Sequence, residues 1–261
     1  MATRRDGEVP SRPYLQLGVS SNVTYTYDES RKEGERITSV WVNDKPIDPK
    51  GTYSVGSGSF LIAGRDNFTE LAKGSKPVDS GKINLSAWVD WIKARKTLKP
   101  DFAKRAVSLT TSLHEGTSRD TTFTLGKPAD KAVAPDTVDF TSKDAVVNTI
   151  MKAQIVQDDK TVDVATTPVK DGWSSVSVKV PTAKGLVSGE ATTVFTFPDS
   201  GTTVRFAAKL SVPSGDHPAG AVIPAPKPGQ SGTPGHDVNL GTPGSDKGSS
   251  NGKPGLPKTG V

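Results

Sequence analysis

The sequence predicts a mixed fold in three parts: an α+β region, an all-β sandwich-like region and a disordered Pro/Gly tail. Apolar residues recur with near period two at 14–27, and a helical stripe follows at 85–92. Short Thr/Ser/Val-rich segments separated by turn residues then fill 101–213. From residue 214 onward, Gly, Pro and Ser dominate and almost nothing is available to bury.

The α+β region spans residues 12–98 and opens with predicted strands. The apolar and aromatic residues of 14–27 alternate, which indicates a half-buried strand. The string ITSVWVNDKPI has apolar residues on both sides of a polar Asn43-Asp44 pair and predicts a hairpin. The string TYSVGSGSFLIAG predicts another strand, interrupted at Gly56 and Gly58.

A helix is predicted for INLSAWVDWIKA, which ends the α+β region. Leu85, Trp88, Val89 and Ile92 follow the i, i+3, i+4, i+7 spacing of a core-facing stripe, so we expect Trp88 in the core. The basic run KARKTLKPDFAKR follows and is broken by Pro100. We interpret this run as a solvated helix end and a linker between regions, rather than as a site for anionic wall polymers.

The region 101–213 is predicted to be an immunoglobulin-like β-sandwich that acts as a spacer. Its candidate strands are AVSLTTSL, DTTFTL, DTVDFTS, KAQIVQ, WSSVSVKV, TTVFTF and TVRFAAKLSV. Several short alternating strands at regular spacing are typical of an antiparallel sandwich. Trp173, Phe195 and Phe197 are expected to be core or sheet-face residues.

Composition limits the partners that we expect. The formal charge of +5 comes from lysines and arginines spread among acids, without interleaved aromatic residues, so nucleic-acid binding is not expected. The absence of cysteine excludes disulfides and thiolate metal sites. No apolar run reaches the roughly 20 residues of a membrane span, and residues 1–11, expected to be flexible, precede no run of signal-peptide length.

The end of the chain carries a short motif after residues 214–255, which are expected to form a disordered stalk. Its residues are Leu256, Pro257, Lys258, Thr259 and Gly260. LPKTG resembles the LPxTG sorting signal of Gram-positive surface proteins, although no membrane span or basic tail follows it here. The resemblance implies that a sortase attacks the carbonyl of Thr259, releases Gly260 and joins Thr259 to a peptidoglycan cross-bridge. It therefore implies a location at the cell wall.

The string YTYDESRKEGERITSVWVNDKPIDPKGTYSVGSGSFLIAGRDNFTEL, within residues 9–95, resembles the C-terminal domain of the 5'-nucleotidase and UDP-sugar hydrolase family. In that family the domain binds a nucleoside between two aromatic rings, and the resemblance implies that Phe68 is one ring. Gly64 would form a sharp turn, Asp66 would brace it and Asn67 would complete the lip of the pocket, which we define as residues 64–68. Arg65 stands where the family has a second glycine.

Phe60, in contrast, is expected to point into the core.

No residue of this chain is expected to be catalytic or to bind a metal ion. The resemblance places two divalent metal ions in a separate N-terminal domain, and the sequence lacks that domain's D-x-H and G-N-H-E/D patterns. It has only His114, His217 and His236, no Ser/His/Asp arrangement and no phosphate-binding G-x-x-x-x-G-K-S/T string. An autonomous phosphohydrolase therefore lacks the ligands that it needs.

Two hypotheses for function remain. The first is the substrate-binding portion of a surface 5'-nucleotidase-like protein, whose family hydrolyses extracellular nucleotides for salvage, with this chain inactive on its own. The second is a non-enzymatic structural or adhesive wall protein that retains a remnant of the nucleotidase domain. The first predicts nucleoside binding that depends on Phe68, and the second predicts cooperative folding without it.

Overall fold

The computed structural model describes residues 17–114, 120–127, 136–140, 142, 144–179, 185–212 and 222–224. The chain divides into two units, Met1–Gly229 and Gln230–Val261, and the second lies outside the described residues. The predicted flexible segment 1–11 and the LPKTG motif also lie outside them. Within the predicted disordered stalk, Val222–Pro224 forms a short strand, and the rest lies outside the described residues.

Two β-sheets make up most of the described structure. The strands are β1 Val23–Tyr27, β2 Ile37–Val42, β3 Lys45–Pro46, β4 Ala106–His114, β5 Asp120–Leu125, β6 Ile150–Gln157, β7 Lys160–Pro168, β8 Ser174–Val178, β9 Gly189–Phe197, β10 Thr202–Leu210 and β11 Val222–Pro224. One sheet has the order β3-β2-β1-β4-β5-β8 and the other β11-β10-β9-β6-β7. Among the described strands, every pairing is antiparallel except that of β1 with β4.

The sheets of the second region enclose one hydrophobic core, as the alternating sequence predicts. Inward and outward residues alternate along β5 and β10. Phe123, Phe195 and Phe197 are fully buried, and the Phe123 ring centroid lies 5.1 Å from that of Phe195 and 5.7 Å from that of Phe206. Tilted and edge-on ring pairs at these distances are favourable beyond their buried area. The predicted core positions of Phe195 and Phe197 are confirmed, and Trp173 is half-buried.

One predicted strand in this region is wrong, and one observed strand was not predicted. The segment DTVDFTS forms no strand in its described residues; Val138 is buried in the core, and the Val138 N–H donates to the Gly172 carbonyl at 2.7 Å. The sequence analysis also omitted β7, whose string KTVDVATTP alternates polar and small residues. Val162 is the one buried residue of β7, which explains why the apolar pattern of this strand is weak in the sequence.

The predicted hairpin in the first region is confirmed. β2 and β3 pair antiparallel around Asn43 and Asp44, whose φ angles are 51° and 61°. Two consecutive positive φ angles define the turn whose twist matches paired strands, and Asn and Asp accept that conformation more readily than other non-glycine residues. β1 and β2 also pair antiparallel, so three strands of the first region form a meander.

The third predicted strand of that region is wrong. Residues 51–58 of TYSVGSGSFLIAG form no regular structure, and a single-turn helix, α1 Ser59–Ile62, follows them. A 3₁₀ turn at Leu71–Lys73 comes next. Gly56 and Gly58 interrupt the apolar pattern and have no side chains to pack against a neighbouring strand, which disfavours a strand here.

The predicted helix exists, but its apolar stripe does not face a core. α2 spans Asn84–Arg95, and none of its residues is buried. Trp88 is 59% exposed and Leu85 is 72% exposed, so the predicted core position of Trp88 is wrong. The described residues supply no surface that covers the stripe; instead, Trp88 and Trp91 contact each other edge-on and the Arg95 guanidinium lies 4.0 Å from the Trp91 ring centroid.

No helix in the described part of the chain has the length and apolar character that crossing a membrane requires.

Candidate functional site

The turn between β1 and β2 is built by residues of the string YTYDESR. The Asp28 carboxylate accepts hydrogen bonds from the Ser30 N–H at 3.1 Å, the Ser30 hydroxyl at 2.6 Å and the Arg31 Nε at 3.2 Å. The Asp28 N–H donates to the Arg36 carbonyl at 2.8 Å, which closes the turn. Burial acts to raise the pKa of Asp28, but the hydrogen bonds from Ser30 and Arg31 outweigh it and lower the pKa. These residues therefore brace the backbone.

The predicted lip of the pocket begins where α1 ends. The Gly64 N–H donates to the Leu61 carbonyl at 2.9 Å, and Gly64 has a φ of +76°. A Cβ added there would lie 3.0 Å from the Cβ of Ala72. Both the left-handed backbone and this close approach require glycine, so the structure places Gly64 at a sharp turn, as the resemblance implies.

The next residues of the lip continue in a left-handed conformation. Asp66 and Asn67 have φ angles of 52° and 67°, a region that Asp and Asn enter more readily than other non-glycine residues. Arg65 does not have a positive φ, so an arginine at that position carries none of the strain that its replacement of a family glycine suggests. The Asp66 carboxylate is exposed and makes no hydrogen bond to another described residue; its bracing role stays a prediction.

Phe68 follows this turn and is half-buried. The Phe68 N–H donates to the Arg65 carbonyl at 3.2 Å, and the Phe68 carbonyl accepts from the Leu71 N–H at 3.1 Å, so its backbone is held on both sides. Among the described residues, no second aromatic ring pairs with Phe68. Phe60 is 56% exposed, so its predicted core position is wrong. The lip is therefore a half-exposed ring on a tightly turned loop.

The polar groups near the lip do not form a metal site. Glu70, the acid that follows the ring, pairs with Lys73 at 2.5 Å between Oε1 and Nζ. Within the described residues, no three His, Cys, Asp or Glu side chains lie close enough to hold a metal ion. The side chain of His114, together with His217 and His236, lies outside what the structure describes.

The structure also shows a polar seam that the sequence analysis missed, between the β1–β2 hairpin and β10. Trp41 is 4% exposed, and its indole N–H has no hydrogen-bond partner among the residues that the structure describes. Lys104 is 8% exposed, its Nζ donates to the Thr137 carbonyl, and its backbone N–H donates to the Thr202 hydroxyl at 2.9 Å. Burial lowers the pKa of Lys104, while Asp139 and Asp136 oppose that shift.

The interpretation of the whole basic run as solvated is therefore wrong at Lys104. One signal for its burial is present in the sequence: Lys104 lies two residues before the apolar alternation of β4 begins. A charged side chain at the start of a core strand can be buried when neighbouring carbonyls accept its hydrogen bonds and neighbouring carboxylates balance its charge.

Comparison with known proteins links the first region to one family. Residues 3–73 match the family described as "5'-nucleotidase, C-terminal domain". A "5'-nucleotidase-related protein" of Glossina morsitans morsitans is 35% identical over 101 residues, which are 36% of this chain and 18% of the relative. The chain thus spans about a fifth of that relative's length. No solved structure matches.

The chain therefore contains a 5'-nucleotidase C-terminal domain segment at residues 3–73, and a further β-sheet region follows it.

Proposed function

We propose that this chain is the C-terminal, substrate-binding portion of a surface 5'-nucleotidase-like protein and that its lip contacts a nucleoside. The observation that carries the proposal is the position of Phe68. Its ring stands half-exposed on a turn formed by Gly64, Asp66 and Asn67, and all four residues lie inside the segment that matches the family. A ring held in this way offers one face for stacking on a base.

The proposed binding is weak in the isolated chain. Stacking of one base on one aromatic ring is worth about 1–3 kcal/mol, whereas a dissociation constant of about 1 mM already requires about 4 kcal/mol. The remaining contacts, including a second ring on the other face of the base, would come from elsewhere in a nucleotidase. Asp66 and Asn67, both exposed beside the ring, are available to hydrogen-bond the nucleoside.

The hydrolytic step is not assigned to this chain. The described residues do not fit the two divalent metal ions that the resemblance implies, because no cluster of three possible ligands exists among them. We therefore place those ions in another domain or another chain, and the contribution of this chain is to hold and orient the nucleoside.

The test is a titration of the chain with adenosine and other nucleosides, followed by backbone amide shifts in NMR spectra. We expect shifts at residues 64–68, and the Phe68→Ala variant should weaken binding by about 5- to 150-fold, the equivalent of 1–3 kcal/mol. Phe60→Ala is the matched control, since Phe60 is an exposed phenylalanine in the preceding helix α1 and is not part of the lip. Equal affinity in the Phe68→Ala variant would refute the proposed site.

The proposed location is the cell wall of a Gram-positive bacterium, through the motif Leu256–Gly260. The support is the match of LPKTG to the sorting pattern at the end of a Gly/Pro-rich segment. Incubation with a sortase and an oligoglycine amine should join Thr259 to the amine and release Gly260 with Val261, which mass spectrometry detects. A Thr259→Ala variant should give no product, and an unchanged mass for the parent chain would contradict the proposal.

A non-enzymatic structural or adhesive wall protein is the second candidate, and one observation favours it. The strands of the matched segment are built into the same sheet as β4, β5 and β8, so the segment also serves as part of a larger β-structure. This candidate predicts cooperative unfolding and no thermal shift with adenosine. A clear increase of the melting temperature with adenosine would count against it.

A further inference from the structure

The hairpin of the matched segment is joined to the β-sandwich by a parallel strand pair. β1 pairs with β4 through Tyr25–Ala106, Thr26–Val107 and Tyr27–Ser108. The Tyr25 N–H donates to the Arg105 carbonyl at 2.8 Å. About 80 residues of chain separate these partners, so the pairing depends on tertiary structure and not on a short connection.

Side chains at the end of β1 and in the turn after it reinforce that strand pair. The Tyr27 hydroxyl donates to the Asp136 Oδ1 at 3.1 Å, and Asp136 is 6% exposed. Glu29 forms an ion pair with Lys127, whose Nζ also lies 3.5 Å from the Asp136 Oδ2. The Lys127 N–H donates to the Asp136 carbonyl at 2.8 Å. Four residues from two distant parts of the sequence thus form one polar cluster.

The other side of the hairpin contacts the second sheet. The Ser39 hydroxyl donates to the Arg205 carbonyl at 3.3 Å, and the Arg205 guanidinium lies 2.9 Å from the Asp44 carboxylate. Thr26 and Trp41 are buried on this inner side. The hairpin therefore touches both sheets of the sandwich.

We infer that residues 17–46 and the β-sandwich form one cooperative folding unit, with Tyr27 and Glu29 as the docking surface and Lys127 and Asp136 as its partner. The sandwich is therefore a scaffold for the nucleotidase segment, and not a freely jointed spacer. The hairpin cannot bury Thr26 and Trp41 by itself, because a two- or three-stranded ribbon leaves one face open to water. The sandwich supplies the missing face.

The test uses the full chain labelled with 5-fluorotryptophan and unfolded with urea. Trp41 reports the hairpin and Trp173 reports the sandwich, and single Trp→Phe variants assign their fluorine resonances. We expect both native signals to disappear at the same urea midpoint. Loss of the Trp41 signal at a lower midpoint than the Trp173 signal would overturn the inference.

Variants of the polar cluster formed by Tyr27, Glu29, Lys127 and Asp136 test the inference further. Tyr27→Phe removes only the hydroxyl that binds Asp136, and we expect it to lower both midpoints together. Glu29→Gln is a second, milder variant, since the Glu29 side chain is 53% exposed and we expect the fold to persist without its charge. Ser177→Ala is the control, because its hydroxyl bonds the Thr122 hydroxyl on the outer face of the sandwich. A Tyr27→Phe shift confined to the Trp41 resonance would contradict a single unit.

A cleavage experiment tests the same inference without a destabilising substitution. A protease site inserted between Lys76 and Asp79 lies in an exposed segment that forms no helix or strand. After cleavage, we expect the N-terminal fragment to remain bound to the sandwich through β1 and β4 during gel filtration. Elution of the two fragments as separate species would overturn the inference. Neither outcome depends on nucleoside binding.

Discussion

The sandwich at residues 101–212 and the segment at residues 51–98 use apolar residues in opposite ways. The sandwich buries most of its large apolar side chains in one continuous cluster that includes Phe123, Phe195 and Phe206. The other segment leaves eleven of its large apolar side chains exposed, among them Val55, Phe60, Val78, Ile83, Leu85, Trp88 and Ile92. A periodic apolar pattern therefore establishes which residues share a face, but it does not provide a surface to cover that face.

The largest expected effect is in the sandwich core. Phe195→Ala should lower the free energy of unfolding by about 3–5 kcal/mol, because it removes a fully buried ring that packs against Phe123 and leaves a cavity. Urea unfolding followed by circular dichroism measures the change. A loss below 1 kcal/mol would mean that the core is not packed as the structure has it.

Two glycines extend the comparison to the backbone. A Cβ at Gly126 in the sandwich would lie 2.4 Å from the Gly172 carbonyl oxygen, and Gly126 has a φ of +77°. Gly126→Ala should therefore cost about 2–4 kcal/mol from clash and strain together. Gly81 has a φ of +65° but nothing within 4 Å, so Gly81→Ala should cost about 1–2 kcal/mol from strain alone. Equal losses in urea unfolding would contradict this difference.

The pH dependence of stability tests the turn between β1 and β2, where Asp28 accepts its hydrogen bonds. The folded-state pKa of Asp28 lies below its ordinary value of 3.8. The contribution of this carboxylate to the free energy of unfolding is therefore complete above pH 3.8 and is lost as the pH falls through the folded-state pKa. Asp28→Asn should cost about 1 kcal/mol at neutral pH and make stability less sensitive to pH below about 4. Melting temperatures measured from pH 2 to 7 for both proteins give the comparison, and parallel curves would contradict the role of the carboxylate.

The smallest effect is expected on the exposed helix. Trp88→Ser in α2 should change the free energy of unfolding by less than about 0.5 kcal/mol, because the side chain is 59% exposed and its ring packs edge-on against Trp91 of the same helix. Trp41→Ser is the matched comparison, since Trp41 is 4% exposed between the hairpin and β10. If Trp88→Ser destabilised the chain by 2 kcal/mol or more, another surface would have to cover α2 in solution.

Local sequence signals were sufficient for the elements whose stability is mostly local. The Asn43-Asp44 turn followed from residues that accept a positive φ, and the helix at Asn84–Arg95 followed from its periodicity. The left-handed turn at Gly64 also agreed with its sequence. Along β7, by contrast, alternation with small and polar residues gave too weak a signal, because that edge strand buries only Val162 completely.

The sequence alone was enough to predict the two β-rich regions, the helix and the nucleotidase-like string, while the lip at residues 64–68 stays a prediction. The tertiary structure alone decided that β1 pairs with β4, that Lys104 and Trp41 are buried, and that Trp88 and Phe60 are exposed. Turn and periodicity signals act between neighbours within about four residues, so they can be read along the chain. Burial of a side chain depends on which distant part of the chain packs against it, and the whole fold determines that.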